Sequence, residues 1–392
     1  SEIPAYFPTI MSEIYLWLHL RGDKSAILAT NIYDLDRESL DIEGILKSSL
    51  ELKTPVILQS SFNAIGQKET YKDNEIFGYL KIENGPLSLV NSSISAAFRL
   101  FLSENKGVPF YGVGLDHVDH KNDKPKGRAN RFIKSALNTG NITHMVLDGS
   151  NLFNASKRNF LNIKKAYEKV AKYEVSFLKE NKSIFLIDLE YCVGEMNYIG
   201  DNKSAMIPDQ NEIKLFVDII QKLITKNNIG YFNCRPSLFI GNIGTTHHDI
   251  DESKNIDSTI SFSWVEKVKR NNFISAVLHG TTNTDKEILV NSTMGCHKVN
   301  VAGDLLKTYI ESLPNYISSK YKNFTPESKY FMPKIVEEKI NFSNKEKIKI
   351  KSNISTKSMD LMKALNSPNL TERDKSYFHR FSYKFSEEII NL

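Results

Sequence analysis

Cysteine is scarce in this chain. There are three in 392 residues (Cys192, Cys234 and Cys296), and no two stand as CxxC. That excludes a disulfide framework and a cysteine metal knuckle. Long apolar runs are missing too: none approaches the roughly 18 residues that a membrane-spanning helix needs. The opening stretch, SEIPAYFPTIMSEIYLWLHLRGDK, has acids early and no basic segment ahead of an uninterrupted apolar core. No signal peptide is therefore expected, and a cytoplasmic enzyme is the default reading. Internal repeats and long low-complexity segments are also absent.

An excess of one charge sign is nearly absent as well, apart from one region. The net charge is +5, yet residues 331–392 hold 12 Lys+Arg against 8 Asp+Glu, so the preceding 330 residues are close to neutral. A basic tail is usually a solvated face. It carries neither an aromatic-interleaved motif nor a zinc module, so no nucleic-acid partner is expected. Hydrophobic residues make up 41% and charged residues 25%, which is ordinary for a globular protein.

Short apolar runs bounded by polar residues or glycine recur along the chain. They are Ser25–Thr30, Pro55–Gln59, Val108–Leu115, His144–Leu147, Ser183–Leu189, Ser237–Ile240, Ala276–His279 and Lys298–Val301. Fully buried parallel strands have this character. Between them, Asp36–Leu52, Asn159–Lys179 and Glu212–Asn227 show helical spacing of apolar residues. Eight strands alternating with helices predict an α/β fold, a (β/α)8 TIM barrel, over residues 1–325. A doubly wound open sheet would show a glycine-rich turn after its first strand, and Ala29-Thr30-Asn31-Ile32 supplies none. Residues 326–392 form a basic, helical C-terminal extension.

In such a barrel, catalytic groups sit at the C-terminal ends of the strands. Here those positions repeatedly carry acids, amides and histidines: Asp116-His117, Asp148, Asp188 and Glu190, His247-His248, His279 and Asn300. Histidine itself is scarce, nine in the whole chain. Asp188 and Glu190 alternate along one strand, so only one of them is expected to line the mouth.

The segments LDH, VLDGS, IGTTHH, LHGTTN and HKVNVAGDL, preceded by LATNIYD and TPVILQSS, resemble in order and spacing the class II, zinc-dependent ketose-bisphosphate aldolases. The resemblance covers roughly residues 8–315. It implies a Zn²⁺ held by His117, His247 and His279, with Glu190 and Asp148 as further metal or supporting positions. A second divalent ion or a monovalent cation is a further option. Asp116 matches the acid–base aspartate, Asn300 the asparagine near a zinc-stabilised enediolate, and Glu195 a candidate for proton exchange. Ser61, Gly280, Thr282 and Asn31 fall where the family binds its substrate and phosphate. It further implies a sugar or sugar-phosphate substrate and a homo-oligomer, dimer or tetramer.

Three departures from the family pattern stand out: His248, Asn283 and Gly303 replace its glycine, glycine and Thr/Ser. They predict an altered anion site. The same residues would serve an epimerase working by retro-aldol cleavage and recondensation. A non-catalytic partner subunit of an aldolase is the third reading. Taken singly, Asp148 could equally cap a helix, and Lys298 reads as a barrel-wall charge paired with an acid. Asp119 and His120 match no family role.

Overall fold

The computed structural model describes residues 25–36, 38–61, 69–71, 75–77, 84–104, 109–119, 127–149, 152–153, 159–180, 187–192, 198–199, 202–205, 210–227, 234–240, 276–279, 281, 286–292, 296–319, 335–336 and 338–366, together with Pro8, Met11, Ile14, Leu18 and Ile65. Eight parallel strands close into a barrel: β1 (Ile27–Asn31), β2 (Val56–Ser61), β3 (Tyr111–Asp119), β4 (His144–Asp148), β5 (Ile187–Cys192), β6 (Cys234–Ile240), β7 (Ala276–Leu278) and β8 (Lys298–Asn300). They follow one another round the barrel, and β8 closes it against β1 through the pairs Ile27↔Lys298, Leu28↔Val299 and Ala29↔Asn300. The longer helices among the described residues are α1 (Leu40–Leu52), α2 (Gly85–Glu104), α3 (Arg128–Asn138), α4 (Phe160–Glu180), α5 (Gln210–Lys226), α6 (Lys286–Ser292), α7 (Gly303–Ser312) and α8 (Asn344–Leu365). The barrel expected from the eight apolar runs is the fold observed.

Side chains alternate across each strand, and this divides the protein into two interiors. Leu28, Leu58, Val113, Leu115, Met145, Leu147, Leu189 and Leu278 join one continuous apolar core with residues of the helices. Inside the barrel, Ile27, Ala29 and Ile57 pack with Met11, Ile14 and Leu18 of the N-terminal segment, which thus plug the barrel's N-terminal end. Above that plug the barrel interior turns polar. Asp188 Oδ2 accepts from the Met11 amide at 2.8 Å. Residues two apart on a strand share a face, so Asp188 and Glu190 both point inward, which corrects the expectation that only one would. Asp188 serves the plug, one layer below Glu190.

The helix of the C-terminal extension, α8, lies against α1. It opens with a capping box, Ser343 receiving the Glu346 amide while the Glu346 carboxylate accepts from the Ser343 amide. Ile350 and Ile354 are buried, Ser48 Oγ donates to the Ser355 carbonyl at 2.6 Å, and the Ala26 amide donates to the Leu365 carbonyl at 2.8 Å. The basic residues stay toward solvent, where Lys351 pairs with Glu43 at 2.9 Å.

Gly44 is what lets the two helices approach. A Cβ there would lie 2.8 Å from Ile354 Cβ and 2.8 Å from the Lys351 carbonyl oxygen. Gly44→Ala would ordinarily gain about 1 kcal/mol of helix propensity. Overpacking at a contact of this kind costs about 1–3 kcal/mol, so the variant should unfold at lower denaturant than the parent. An unchanged or higher unfolding midpoint would show that the helices can part without penalty.

Candidate active site

Neighbouring residues of a regular strand face opposite ways, so Asp116 and His117 should not share a site. The structure resolves this with a bulge. Leu115 pairs with Met145 and Val118 with Leu147, so Asp116 and His117 together stand opposite the single residue Val146. His117 takes the left-handed conformation, φ 46°, uncommon for a residue other than glycine. Bulges beside active sites re-aim side chains in this way. As a result both Asp116 and His117 reach His279, which follows β7.

The hydrogen-bond partners fix which atoms face inward. Asp148 Oδ2 lies 2.7 Å from His117 Nδ1; a carboxylate accepts, so Nδ1 carries the proton and Nε2 presents a lone pair. Glu190 Oε2 lies 3.4 Å from His279 Nε2, which leaves the lone pair on Nδ1. There Asn300 Nδ2 donates at 3.2 Å. The remaining lone pairs meet: His117 Nε2 and His279 Nδ1 are 3.2 Å apart, with Asp116 Oδ1 3.8 Å from each. With both rings neutral, neither imidazole can donate to the other in these tautomers. Burial, opposed by Glu190 and the Asp116 charge, pushes the His279 pKa down to about 4, so its ring is neutral.

Three acceptor atoms converge here, two of them sharing the Asn300 amide, and a cation between them would balance the cluster. Asp116, His117 and His279 offer three ligand atoms within 4.8 Å of one another. Two nitrogens at zinc's usual 2.0–2.1 Å, at the tetrahedral angle, stand about 3.3 Å apart. The observed spacing fits that geometry, and the histidine–carboxylate pairs behind both rings fit the way metal-binding imidazoles are oriented.

Asp116 is itself held by two amides, Asn31 Nδ2 at 2.9 Å on Oδ2 and Asn300 Nδ2 at 3.5 Å on Oδ1. Gln59 Nε2 donates to Asn31 Oδ1 at 3.0 Å, which orients that amide. Below the histidines, Lys298 Nζ donates to Glu190 Oε1 at 2.5 Å and lies 2.9 Å from His144 Nε2; His144 also contacts Glu190. Burial alone would raise the pKa of Glu190, but Lys298 and His144 hold it well below the usual carboxylate range.

The structure thus joins Asp116, His117, Asp148, Glu190, His279, Asn300 and Asn31 in one continuous network. Glu190 has both oxygens engaged from behind, by Lys298 and His144 on one and His279 on the other. Lys298 does pair with an acid, but inside the barrel. Asp148 is occupied with His117. Ser61 ends β2, in register with Asp116. His247, Gly280, Thr282, Glu195, His120, His248 and Asn283 lie outside the described residues, as does the side chain of Asp119. Gly303 opens α7. Sequence reasoning missed Gln59 and His144. Their signal was a polar residue at an inward position of an otherwise apolar strand.

The family model for class II fructose-bisphosphate aldolase matches residues 16–353. The chain belongs to the class II fructose-bisphosphate aldolase family. This class II aldolase is thereby a lyase of a metal-dependent family, and the match continues past residue 325 into α8. No curated protein matches it in sequence. Among solved structures, the YdjI aldolase from Escherichia coli K12 superposes with TM-score 0.50 at 12% identity, over 92% of this chain and 98% of that one. Fructose-bisphosphate aldolase from Campylobacter jejuni does so with TM-score 0.50 at 17% identity, over 90% and 93%. A probable tagatose 6 phosphate kinase from Sinorhizobium meliloti 1021 gives TM-score 0.50 at 12% identity, over 93% of each chain. At such identities these likenesses speak to the fold alone. No helix among the described residues is long and apolar enough to cross a membrane.

Removing Lys298 would strand a buried carboxylate. Lys298→Met should cost about 3–5 kcal/mol, the usual penalty for breaking a buried pair from one side. The double variant Lys298→Met/Glu190→Gln should recover much of it. Because Glu190 is more acidic folded than unfolded, its contribution holds at neutral pH and is lost as pH falls toward the folded value. Denaturant unfolding at pH 7 checks this; equal stabilities for wild type and Lys298→Met would contradict it.

Proposed function

We propose that the chain is a zinc-dependent aldolase that cleaves or forms a C–C bond in a ketose or sugar phosphate. The observation that carries this reading is the pair of imidazole lone pairs, His117 Nε2 and His279 Nδ1, converging beside the amide-held carboxylate of Asp116. His247 is the third proposed ligand. Bound zinc would supply a Lewis acid for the ketose carbonyl and for the charge left on cleavage.

The chain's own groups account for the proton movements. In the cleavage direction, the Asp116 carboxylate takes the proton of the hydroxyl next to the breaking bond. That oxygen then forms the aldehyde, and the C–C bonding electrons pass to the carbon beside the carbonyl. In the aldol direction Asp116 returns the proton to the new alkoxide. The Asn31 and Asn300 amides fix the angle of its carboxylate throughout, and orientation of this kind is a large part of catalysis. Asn300 also lies against His279, and so stands where a substrate oxygen could be met by its amide. Ser61, Gly280 and Thr282 are the proposed phosphate contacts, and Glu195 the proposed group for proton exchange at the nucleophilic carbon.

Chelator-free protein should contain about one zinc per chain and release a three-carbon fragment from a phosphorylated or unphosphorylated ketose. Asp116→Ala should keep the metal and lose turnover by about 10²-fold or more, as expected on losing an acid–base group. His279→Ala should lose both metal and turnover. Full activity in metal-free protein, or near-wild-type activity in Asp116→Ala, would sink the proposal. Inversion of a hydroxyl centre without fragment release would make the chain an epimerase on the same site.

A further inference from the structure

The C-terminal extension reaches the barrel's mouth at one buried residue that the proposed chemistry does not use. Lys339, in a short 3-10 turn (Lys339–Asn341) ahead of α8, is buried. Its ammonium donates to Asp34 Oδ1 and Asp36 Oδ1, both at 2.6 Å, and to the Glu38 carbonyl at 2.9 Å. Two carboxylates and a carbonyl drawn from alternate residues of one loop make a cradle like those that hold a metal cation, and here the chain's own ammonium fills it.

That loop is the one between β1 and α1. Asp34 and Asp41 close it from both ends: Asp34 Oδ2 accepts from the Leu40 amide at 3.0 Å, and Asp41 Oδ2 accepts from the Tyr33 and Asp34 amides at 3.1 and 3.2 Å. Tyr309 of α7 donates its hydroxyl to Asp34 Oδ2 at 3.1 Å. Asp34 is therefore a hub. It joins the loop that begins just after Asn31 to the helix that begins just after Asn300. Those are the two residues whose amides hold Asp116.

We propose that Lys339 is a positioning residue for the active site, a built-in cation that braces the β1–α1 loop and α7 and so sets the Asn31 and Asn300 amides on Asp116. Simple attachment of the extension would not require it. Ile350 and Ile354 bury α8 against the barrel, and Lys351 ties it to Glu43 nearer the surface. Burying an ammonium is costly, and its return is structural definition more than stability. Small misplacements around a reacting group cost far more in rate than in stability.

The activity arm of the test rests on the aldolase reading; the exchange arm does not. Full-length Lys339→Met, Tyr309→Phe and Lys339→Arg would be compared with Lys351→Met, which loosens the extension without touching the loop. Two things are measured, steady-state kinetics on zinc-loaded protein and amide hydrogen exchange across residues 31–36 and 300–304. In Lys339→Met, exchange there should rise and kcat should fall about 10-fold or more with KM within about 3-fold. Tyr309→Phe should shift both readouts the same way by less, Lys339→Arg should recover part of the loss, and Lys351→Met should move neither. Wild-type exchange in these segments, or raised exchange with wild-type kcat, would overturn the proposal. Should Lys339→Met fail to fold, Tyr309→Phe decides on the same two readouts. If the wild-type chain turns over no ketose, the aldolase reading fails. The bracing is then judged on exchange alone, a rise supporting it and no rise overturning it.

Discussion

The site depends on a single backbone irregularity, the bulge in β3 that places Asp116 and His117 on the same side of their strand. Without the extra residue, one of them would point into the apolar layer under the helices. A left-handed conformation at a residue other than glycine costs on the order of 1–3 kcal/mol and persists only where its surroundings over-determine it. Here they do. Asp148 holds the His117 ring from one side, and β3 is pinned to β2 through Ser61 opposite Asp116. The strain is compensated in the barrel wall, and the return is an acid and an imidazole that both address His279.

The second feature that shapes the molecule is a polar column inside an otherwise ordinary barrel. Glu190, Lys298 and His144 are fully buried, an arrangement tolerable because each neutralises or hydrogen-bonds the next. The column carries orientation upward. Lys298 and His144 keep Glu190 anionic, Glu190 keeps the proton on His279 Nε2, and His279 Nδ1 faces His117 and the Asn300 amide. The same logic recurs on the outer side, where Lys339 neutralises the carboxylates of the β1–α1 loop. Both lysines act as internal counter-ions, Lys298 to Glu190 beneath His279 and Lys339 to Asp34 and Asp36 of the loop that follows Asn31.

The architecture was legible because buried parallel strands are short continuous apolar runs, and all eight runs became barrel strands. Strand-end polarity singled out residues that the structure brings together, among them Asp116, His117, Glu190, His279 and Asn300, because a strand that leaves the core must end in residues that tolerate water or ligand. Other features escaped because strand periodicity is a blunt ruler. It puts Asp116 and His117 on opposite faces, and no residue pattern announces a bulge. Asp188 was set against Glu190, although two residues apart on a strand means one face. Gln59 closes one apolar run and His144 opens another, and neither stood out from the run it bounds. Lys339, some 300 residues from Asp34 in sequence, stood among a dozen basic residues whose common reading is a solvated face. Only the three-dimensional pairing separates it from them.

The central claim is that His117 Nε2 and His279 Nδ1 are two converging lone pairs built to share one cation. The most direct measurement is a crystal structure of zinc-loaded protein with anomalous data at the zinc edge. The account predicts one strong peak at about 2.0–2.1 Å from both nitrogens, with Asp148 and Glu190 still bound to the far side of each ring. A peak bonded to neither nitrogen, or a His117 ring turned so that Nδ1 faces the mouth, would contradict it.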